Sequence, residues 1–321
     1  EMQRSLVGSE MCIRDSNGEE FTVKSIVSYP DRGADGKNTY RGNCSGKLIE
    51  DLIKQFKMQQ ISDFMVGSGT TEDVASRMGI QSNCLDLNRG FDLINCDIPL
   101  RSQNIFWHPP YWTMIRYAGE QYSAEQVQRT YGFDPREFDL SREQPWENFV
   151  EQMNYCMVKQ FATLEKGGRM AVLVGDIKKK GKLYSMILEL AKPGTIENIV
   201  IKAQHNCWSD RQQYSGSFIP IVHEYLLIVQ KDNLLIFPVQ LTRNVNADMR
   251  DLRSSTWRDV VAAVLDQLGG TASLPELYKA IEGHRKAREN PHWKEKVRQT
   301  LQRGTCFSST ERGVWHYASA A

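Results

Sequence analysis

The sequence predicts an α/β protein with a doubly wound, mostly parallel sheet of the seven-stranded type, followed by a small winged-helix domain. Three observations predict this fold. Short apolar runs alternate with amphipathic stretches from residue 61 to residue 231, which is typical of βαβ units. A glycine-rich turn follows the first of these runs. Beyond residue 255, three helical patterns precede two short strand patterns.

The first domain is predicted over residues 17–233. Strands are predicted at the apolar runs ISDFMV, SNCLDLN, QNIFWHPP, GGRMAVLVGD, ENIVIKAQ and HEYLLIVQK. Helices are predicted at EDVASRMG, at residues 146–164 and at KLYSMILELAK, where a Pro-Gly pair ends the last one. In the long helix, apolar residues recur every four positions at Phe149, Met153, Met157 and Phe161. This spacing indicates one buried face.

A connector is predicted over residues 234–254 and a winged-helix domain over residues 255–321. TWRDVVAAVLDQLGG, SLPELYKAIE and PHWKEKVRQTLQR read as helices, and CFSSTERGVWHYA reads as two strands around a turn. Ser273 is the expected N-cap of the second helix. Residues 285–303 carry seven basic and two acidic side chains, so a helix that reads a DNA groove is predicted, with a protein-docking domain as the alternative.

Composition limits the classes of function. The net charge is +1, so any nucleic-acid surface is expected to be a local patch. Seven scattered cysteines without a C-x-x-C pair argue against disulfides and zinc, and favour a reducing, cytoplasmic compartment. Histidines at metal-ligand spacing and apolar runs of about 18 residues are both absent from the sequence. We therefore expect neither a metal nor a membrane partner.

The first 16 residues are predicted to be foreign to the fold. SLVGSEMCIRDS, residues 5–16, resembles the translated read-through of a transposase adapter used in sequencing libraries. A disordered arm is the alternative. The sequence therefore does not define the true N-terminus.

A cofactor loop is predicted at DFMVGSGTT, residues 63–71. A strand, a glycine turn and a helix start present backbone N–H groups and a positive dipole end to a ligand. Asp86 lies 19 residues after Gly67, at the end of the next strand, where an acidic side chain binds ribose hydroxyls in nucleotide-binding folds. Asp97 ends a third segment. An ordinary tight turn is the alternative.

The second motif is the tetrapeptide His108-Pro109-Pro110-Tyr111, which ends an apolar strand. Together with the cofactor loop, it resembles the amino-methyltransferases of DNA, which methylate adenine N6 or cytosine N4 using S-adenosyl-L-methionine. In that family, F-x-G-S-G-T ends the first strand and D/N/S-P-P-Y/F/W ends the fourth. The resemblance covers residues 40–231 and implies the S-adenosylmethionine-dependent methyltransferase fold.

The resemblance also implies site residues. The segment YRGNCSGKLIEDLI lies where some members contact the methionine end of the cofactor. The cofactor would be held by Asn43, Asp63, Met65, Gly67, Ser68, Gly69, Thr70, Asp86 and Asp97. The target base would be held by His108, Pro109, Pro110 and Tyr111.

The chemistry gives each member of the tetrapeptide a task. The lone pair of an exocyclic amine is delocalised into the base, so the amine is a poor nucleophile. Two hydrogen-bond acceptors can orient its lone pair, and the resemblance implies that they are the side chain of His108 and the carbonyl of Pro109. The prolines make this corner rigid before the substrate binds. The ring of Tyr111 can stack on a base swung out of the duplex.

Two departures from the family pattern stand out. His108 replaces the usual Asp, Asn or Ser, and a neutral imidazole can accept a hydrogen bond whereas an imidazolium cannot. We therefore predict that activity is lost as His108 protonates, with a core histidine as the alternative. The family's Asp-Pro-Phe is Asp63-Phe64-Met65 here, so Met65 must supply the apolar wall of the cofactor site.

Three further segments are open to two interpretations. Trp107 and Trp112 flank the tetrapeptide and belong either to the base pocket or to the core. KKKGK, residues 178–182, contacts phosphates or is a solvated loop. NCWSDRQQYSGSF, residues 206–218, holds DNA or is a plain surface loop.

The predicted function is methylation of double-stranded DNA, with adenine N6 as the preferred target, as in restriction-modification systems. Cytosine N4 is the nearest alternative. RNA or a protein glutamine is an alternative substrate. An alternative function is that of a DNA-binding regulator whose methylase core is impaired by His108. A dehydrogenase is disfavoured because it leaves Pro-Pro-Tyr unexplained. The recognition sequence, a restriction partner, the host element and the oligomeric state are not defined by the sequence.

Overall fold

A computed structural model describes residues 23–205 and 218–317. The chain forms two compact units that divide between Thr242 and Arg243. The adapter-like segment of residues 1–16 and the polar loop of residues 206–217 lie outside the described residues. Among the described helices, none is long and apolar enough to cross a membrane.

The first unit contains eleven described strands and five α-helices. The strands are β1 (Ile26–Ser28), β2 (Gln60–Asp63), β3 (Gln81–Cys84), β4 (Ser102–Trp107), β5 (Leu164–Val174), β6 (Ile177–Lys179), β7 (Lys182–Tyr184), β8 (Lys192–Pro193), β9 (Thr195–Ala203), β10 (His223–Gln230) and β11 (Val239–Gln240). The helices are α1 (Gly46–Gln55), α2 (Thr70–Met78), α3 (Ala124–Tyr131), α4 (Trp146–Ala162) and α5 (Met186–Glu189).

Seven of these strands form one sheet in the order β3-β2-β4-β5-β10-β9-β1. β2 pairs in parallel with β3 and β4, β4 with β5, and β1 with β9. β10 alone in this sheet runs antiparallel to its neighbours β5 and β9. The predicted α/β class with a mostly parallel sheet is therefore confirmed. The carboxyl ends of β2, β3, β4 and β5 share one edge, which is where the candidate site lies.

The sheet is covered on both faces because β5 alternates its side chains between two cores. Met170, Val172 and Val174 pack in the core that contains α4, whose Phe149, Met153, Met157 and Phe161 are buried as the four-residue spacing predicts. Ala171 and Leu173 pack in the second core, with Leu48, Ile49 and Leu52 of α1. Burial on both faces explains why β5 reads as a continuous apolar run.

One predicted helix is wrong. KLYSMILELAK forms β7, the single-turn helix α5 and the start of β8. Lys180 and Gly181 both have positive φ, 52° and 77°, and they connect β6 to β7 in a tight hairpin. This hairpin takes up the residues that would have formed the first helical turn.

The second unit contains α6 (Trp257–Gln267), β12 (Thr271–Ser273), α7 (Leu274–Ile281), α8 (Arg285–Arg288), α9 (Trp293–Arg303), β13 (Phe307–Glu311) and β14 (Val314–Tyr317). The three strands form an antiparallel sheet in the order β12-β14-β13. Ser273 is the N-cap of α7, and its N–H and hydroxyl both donate to Glu276. The core is built from Val260, Val264, Leu265, Leu277, Val297 and Leu301.

The segment predicted as a connector, residues 234–254, contributes to both units. β11 pairs with β8 in the first unit. In the second unit, Arg250 donates a hydrogen bond to the carbonyl of Ala280 at 2.7 Å. The start of the segment is therefore part of the first unit, and its end is part of the second.

Candidate active site

Two cavities meet at the carboxyl edge of the sheet. The first holds about 850 Å³ of empty space, including the part that opens to solvent. The second is a cleft lined by β9, β10 and the corner after β4. Four residues line both of them, namely Gly42, Asn43, His108 and Tyr117. A ligand in one cavity is therefore next to a ligand in the other.

The glycine turn of the first cavity is built from left-handed backbone. Gly67 and Gly69 have φ values of 53° and 92°, which residues with a Cβ rarely adopt. A Cβ on Gly67 would lie 3.1 Å from the ring of Tyr40, so the turn is packed against this tyrosine. α2 begins directly after the turn, at Thr70.

Asp63 ends β2 and is buried beside the turn. Its carboxylate accepts hydrogen bonds from the N–H of Met65 at 3.0 Å and from the hydroxyl of Thr71 at 2.6 Å. Burial raises the pKa of Asp63 to about 7, although both hydrogen bonds act in the opposite direction. A carboxylate held this way can face a cationic ligand group, and such a group would restore the ionised form.

Asp86 follows β3 and fastens the glycine turn. Its two oxygens accept from the N–H groups of Gly67 at 2.8 Å and Asn88 at 2.9 Å. Burial raises the pKa of Asp86 above its ordinary value, against the effect of these two hydrogen bonds. Each oxygen keeps a second lone pair, so the carboxylate can still accept from ribose hydroxyls.

The structure brings most of the predicted cofactor residues together. Asn43, Asp63, Met65, Gly67, Thr70 and Asp86 line the first cavity. Ser68 acts behind it, donating to Oδ1 of Asn43 at 2.6 Å, and Gly69 is the left-handed N-cap of α2. The indole N–H of Trp107 lies 3.2 Å from the sulfur of Met65 and holds this side chain against the cavity wall.

Asp97 is not brought to the site. Its side chain is exposed, whereas Asp92, five positions earlier, is buried and lines the first cavity. The carboxylate of Asp92 accepts from the N–H of Ile94 at 2.9 Å and from the amide of Asn95. Asp97 follows the mostly apolar run LINC, whereas Asp92 follows Phe91 and a polar, glycine-containing stretch, so the apolar pattern favoured Asp97. Sequence reasoning also missed Phe91, Tyr122, Phe138 and Asp139 of the cavity wall, whereas Tyr40 belongs to the predicted cofactor segment YRGNCSGKLIEDLI.

At the corner after β4, Trp107 and Trp112 belong to the core and not to a base pocket. Trp107 is fully buried, and Trp112 donates to the carbonyl of Gln144 at 2.8 Å. The backbone of Trp112 is left-handed, with φ of 47°. Pro109 and Pro110 are both buried, so the corner is rigid and the tryptophans anchor it from behind.

The side chains at this corner form a hydrogen-bonded chain. Nε2 of His108 lies 3.0 Å from the hydroxyl of Tyr111, which donates to Oε1 of Glu224 at 2.6 Å. Oε2 of Glu224 accepts from the ammonium of Lys202 at 2.7 Å. The ring of Tyr111 also packs on Gly175, where a Cβ would lie only 2.7 Å away.

The environment of His108 favours the neutral imidazole. Burial lowers the pKa of His108 to about 4, and nearby Lys202 acts in the same direction while Glu224 opposes it. The ring therefore stays neutral through the physiological range. The expected loss of activity on protonation belongs near pH 4, well below the ordinary titration range of histidine.

Sequence reasoning missed Glu224 and Lys202. They are register partners on the neighbouring strands β10 and β9. Their only sequence signal is a charged residue on an otherwise apolar strand, at HEYLLIVQ and IVIKAQ. Nothing in that signal indicates that they reach the corner after β4.

Among the described residues, one group of three side chains has the spacing of a metal site. It consists of Asp248, Asp251 and His284 in the second unit. Asp248 is already paired with Arg250, and Asp251 accepts from the N–H of Arg285. Both aspartates therefore already have protein partners, and the contact of Asp251 lies at the start of α8.

No family model matches the chain, and no curated protein matches it. Similar solved structures include TrmN from Thermus thermophilus, with 13% identity over 60% of this chain and 50% of that one, at a TM-score of 0.31. A protein named as a DNA modification methylase, also from Thermus thermophilus and solved with S-adenosyl-L-methionine, has 17% identity over 44% of this chain and 49% of that one, at a TM-score of 0.25.

A protein named as a class I S-adenosylmethionine-dependent methyltransferase from Listeria monocytogenes has 14% identity over 65% of each chain, at a TM-score of 0.32. The chain spans about half the length of the two Thermus structures. Two of these three structures are named as methylases or methyltransferases, and the third is named only TrmN.

Proposed function

We propose that the protein transfers a methyl group from S-adenosyl-L-methionine to an exocyclic amine of a DNA base, with adenine N6 preferred. The observation that carries this proposal is the position of His108. A neutral imidazole stands at the junction of an acid-lined cavity and an open cleft, on a rigid corner made by two prolines. Such an acceptor suits an amine that must be oriented without being protonated.

The first cavity has the chemistry for the cofactor. Asp63 offers a carboxylate toward cationic groups, and Asp86 offers acceptors for ribose hydroxyls. Tyr40, Met65 and Phe91 supply apolar surface for an adenine ring. The bound cofactor would supply a methyl group on a sulfonium, which is an electrophile that needs no metal.

The cleft would hold the nucleophile. His108 and the carbonyl of Pro109 would accept the two amine hydrogens, while Tyr111 stacks against the base. The cofactor, held by Asp63 and Asp86, would supply the methyl group to the amine and keep the electron pair of the broken S–C bond on its sulfur. The amine then loses one proton, and His108 is the acceptor in reach.

Two basic features support a nucleic-acid substrate. The β6–β7 hairpin carries KKKGK, with Lys180 and Lys182 exposed. Lys179 lies 4.3 Å from the centre of the Trp112 ring, which ties this hairpin to the corner. In the second unit, α9 exposes Lys294, Lys296, Arg298 and Arg303, and the order of helices and hairpin suits a winged helix in a DNA groove.

The test is methyl transfer from labelled S-adenosyl-L-methionine to unmethylated duplex DNA, followed by mass spectrometry of the nucleosides. We expect N6-methyladenine, and N4-methylcytosine would move the target to the second candidate base. RNA and total protein serve as parallel substrates. Label in either one and none in DNA would overturn the DNA assignment. Cofactor binding without any transfer would favour a DNA-binding regulator.

A further inference from the structure

The chain of side chains from Lys202 to His108 has only one arrangement of protons. Lys202 and Glu224 are nearly buried, with side-chain exposures of 10% and 8%. Burial alone would raise the pKa of Glu224, but the Lys202 ammonium and the hydrogen bonds from Lys202 and Tyr111 bring it below its ordinary value. Glu224 is therefore an anion that can only accept.

The direction of each hydrogen bond follows from that charge. Because Glu224 has no proton to give, the hydroxyl of Tyr111 must donate to it. The single hydroxyl proton of Tyr111 is then used, so its oxygen must accept from Nε2 of His108. A neutral imidazole carries one proton, and here that proton is on Nε2. Nδ1 is left as a bare acceptor.

Nδ1 is also the ring nitrogen that no protein group of the described residues occupies. Within residues 23–205 and 218–317, Nδ1 of His108 has no hydrogen-bond partner, and it is not among the fully buried polar atoms that lack one. His108 lines both cavities. The free lone pair of the ring therefore belongs to Nδ1, on a side chain that lines both cavities.

We propose that Glu224, acting with Lys202 through Tyr111, is a positioning residue that selects the Nε2–H tautomer of His108. The tautomer presents Nδ1 as an acceptor to the target amine. In this tautomer the histidine offers an acceptor, as does the side-chain oxygen of the Asp, Asn or Ser found at this position in the family that the chain resembles. Those oxygens accept without any choice of tautomer. The catalytic part of this inference rests on the proposed function, whereas the tautomer itself does not.

The substitution Glu224→Gln should reverse the chain. Lys202 will hold the Gln carbonyl oxygen, so the Gln amide must point its N–H at the oxygen of Tyr111. Tyr111 then donates its proton to Nε2 of His108, and the ring proton moves to Nδ1. The site keeps its shape, but the atom that faced the amine as an acceptor becomes a donor.

The first readout is the histidine tautomer, from two-bond ¹H–¹⁵N correlation spectra of ¹⁵N-histidine-labelled protein at pH 7, with His108→Asn to assign the signals. We expect Nε2–H in the unaltered protein and Nδ1–H in Glu224→Gln. The matched control is Glu197→Gln, which removes the Arg169–Glu197 pair between β5 and β9 of the same sheet. An Nδ1–H tautomer in the unaltered protein, or an unchanged tautomer in Glu224→Gln, would overturn the proposal.

The second readout is a double-mutant cycle of methyl transfer. Glu224→Gln should lower the maximal rate on the order of 100-fold in the His108 protein. In the His108→Asn background, whose amide oxygen accepts without help, the same change should cost less than about tenfold. Equal losses in both backgrounds would show that Glu224 only maintains the fold and would overturn the positioning role.

The two readouts separate this inference from the proposed function. If the tautomer switches as expected and no variant methylates nucleic acid, the assignment of Glu224 as the residue that selects the tautomer stands and the proposed function fails. If nucleic acid is methylated and the tautomer does not switch, the proposed function stands and this inference fails.

Discussion

The cofactor half and the substrate half of the candidate site are built by different means. In the cofactor half, Asp63 and Asp86 accept hydrogen bonds from backbone N–H groups. Each accepts one from a residue two positions further along the chain, and Asp86 accepts another from Gly67 of the glycine turn. In the substrate half, His108 and Tyr111 depend on Glu224, more than one hundred positions away. Local backbone geometry defines the first half, and side chains from distant strands define the second. The two halves should therefore fail in different ways.

The largest effect is expected from His108→Ala. Removing the acceptor should lower the maximal methyl-transfer rate on the order of 10²–10³-fold, because the amine loses its orientation. Cofactor affinity, measured by calorimetry, should change little. A matched loss of both rate and affinity would show that the two halves are not separable.

Asp63→Asn should have the opposite signature. We expect cofactor affinity to fall about tenfold to a hundredfold, since a hydrogen bond or contact to a charged group is worth ~1.5–3 kcal/mol. The maximal rate at saturating cofactor should be nearly unchanged. Thr71→Val, which removes one hydrogen bond to the same carboxylate, is the graded control, and an affinity loss larger than that of Asp63→Asn would contradict this role.

The pH dependence should distinguish the halves without any substitution. The pKa of Asp63 is about 7 in the free protein, so cofactor affinity should weaken as pH falls below 7, by up to about tenfold per unit. The pKa of His108 is about 4, so the maximal rate should stay flat to about pH 5 and fall only near pH 4. A rate that follows an ordinary histidine titration would contradict the buried, neutral imidazole.

The same values fix the sign of two contributions to stability. The folded pKa of His108 lies below its ordinary value of 6.5, so its contribution is lost as pH falls from about 6.5 toward 4. The folded pKa of Asp63 lies above its ordinary value of 3.8, so its contribution is lost as pH rises from about 4 toward 7. Melting curves of the cofactor-free protein, compared with Asp63→Asn, will check the second sign.

The smallest effect is expected from Gly67→Ala. The left-handed backbone should cost about 1–2 kcal/mol of folding free energy, and contact with Tyr40 should add to this cost. Gly79→Ala is the matched control, because Gly79 is also left-handed, with φ of 69°, but has open space at the Cβ position. Equal shifts in unfolding free energy would show that the contact with Tyr40 is unimportant.

Features that depend on local pattern could be predicted from the amino-acid sequence alone. The alternation of apolar runs predicted the α/β sheet, the four-residue spacing predicted the buried face of α4, and the glycine spacing predicted a turn before α2. The rigid corner at His108–Tyr111 was predictable as well, because two prolines restrict the backbone wherever they occur.

Which side chains meet in the site depends on the packed fold. Packing placed Asp92 in the cavity in place of Asp97, turned KLYSMILELAK into a hairpin and a single helical turn, and joined Lys202 and Glu224 to Tyr111. The physical reason is that strand order and register bring these groups together, and neither is encoded by the periodicity of one strand. Burial then sets the charge state of His108, and burial belongs to the packed molecule as a whole.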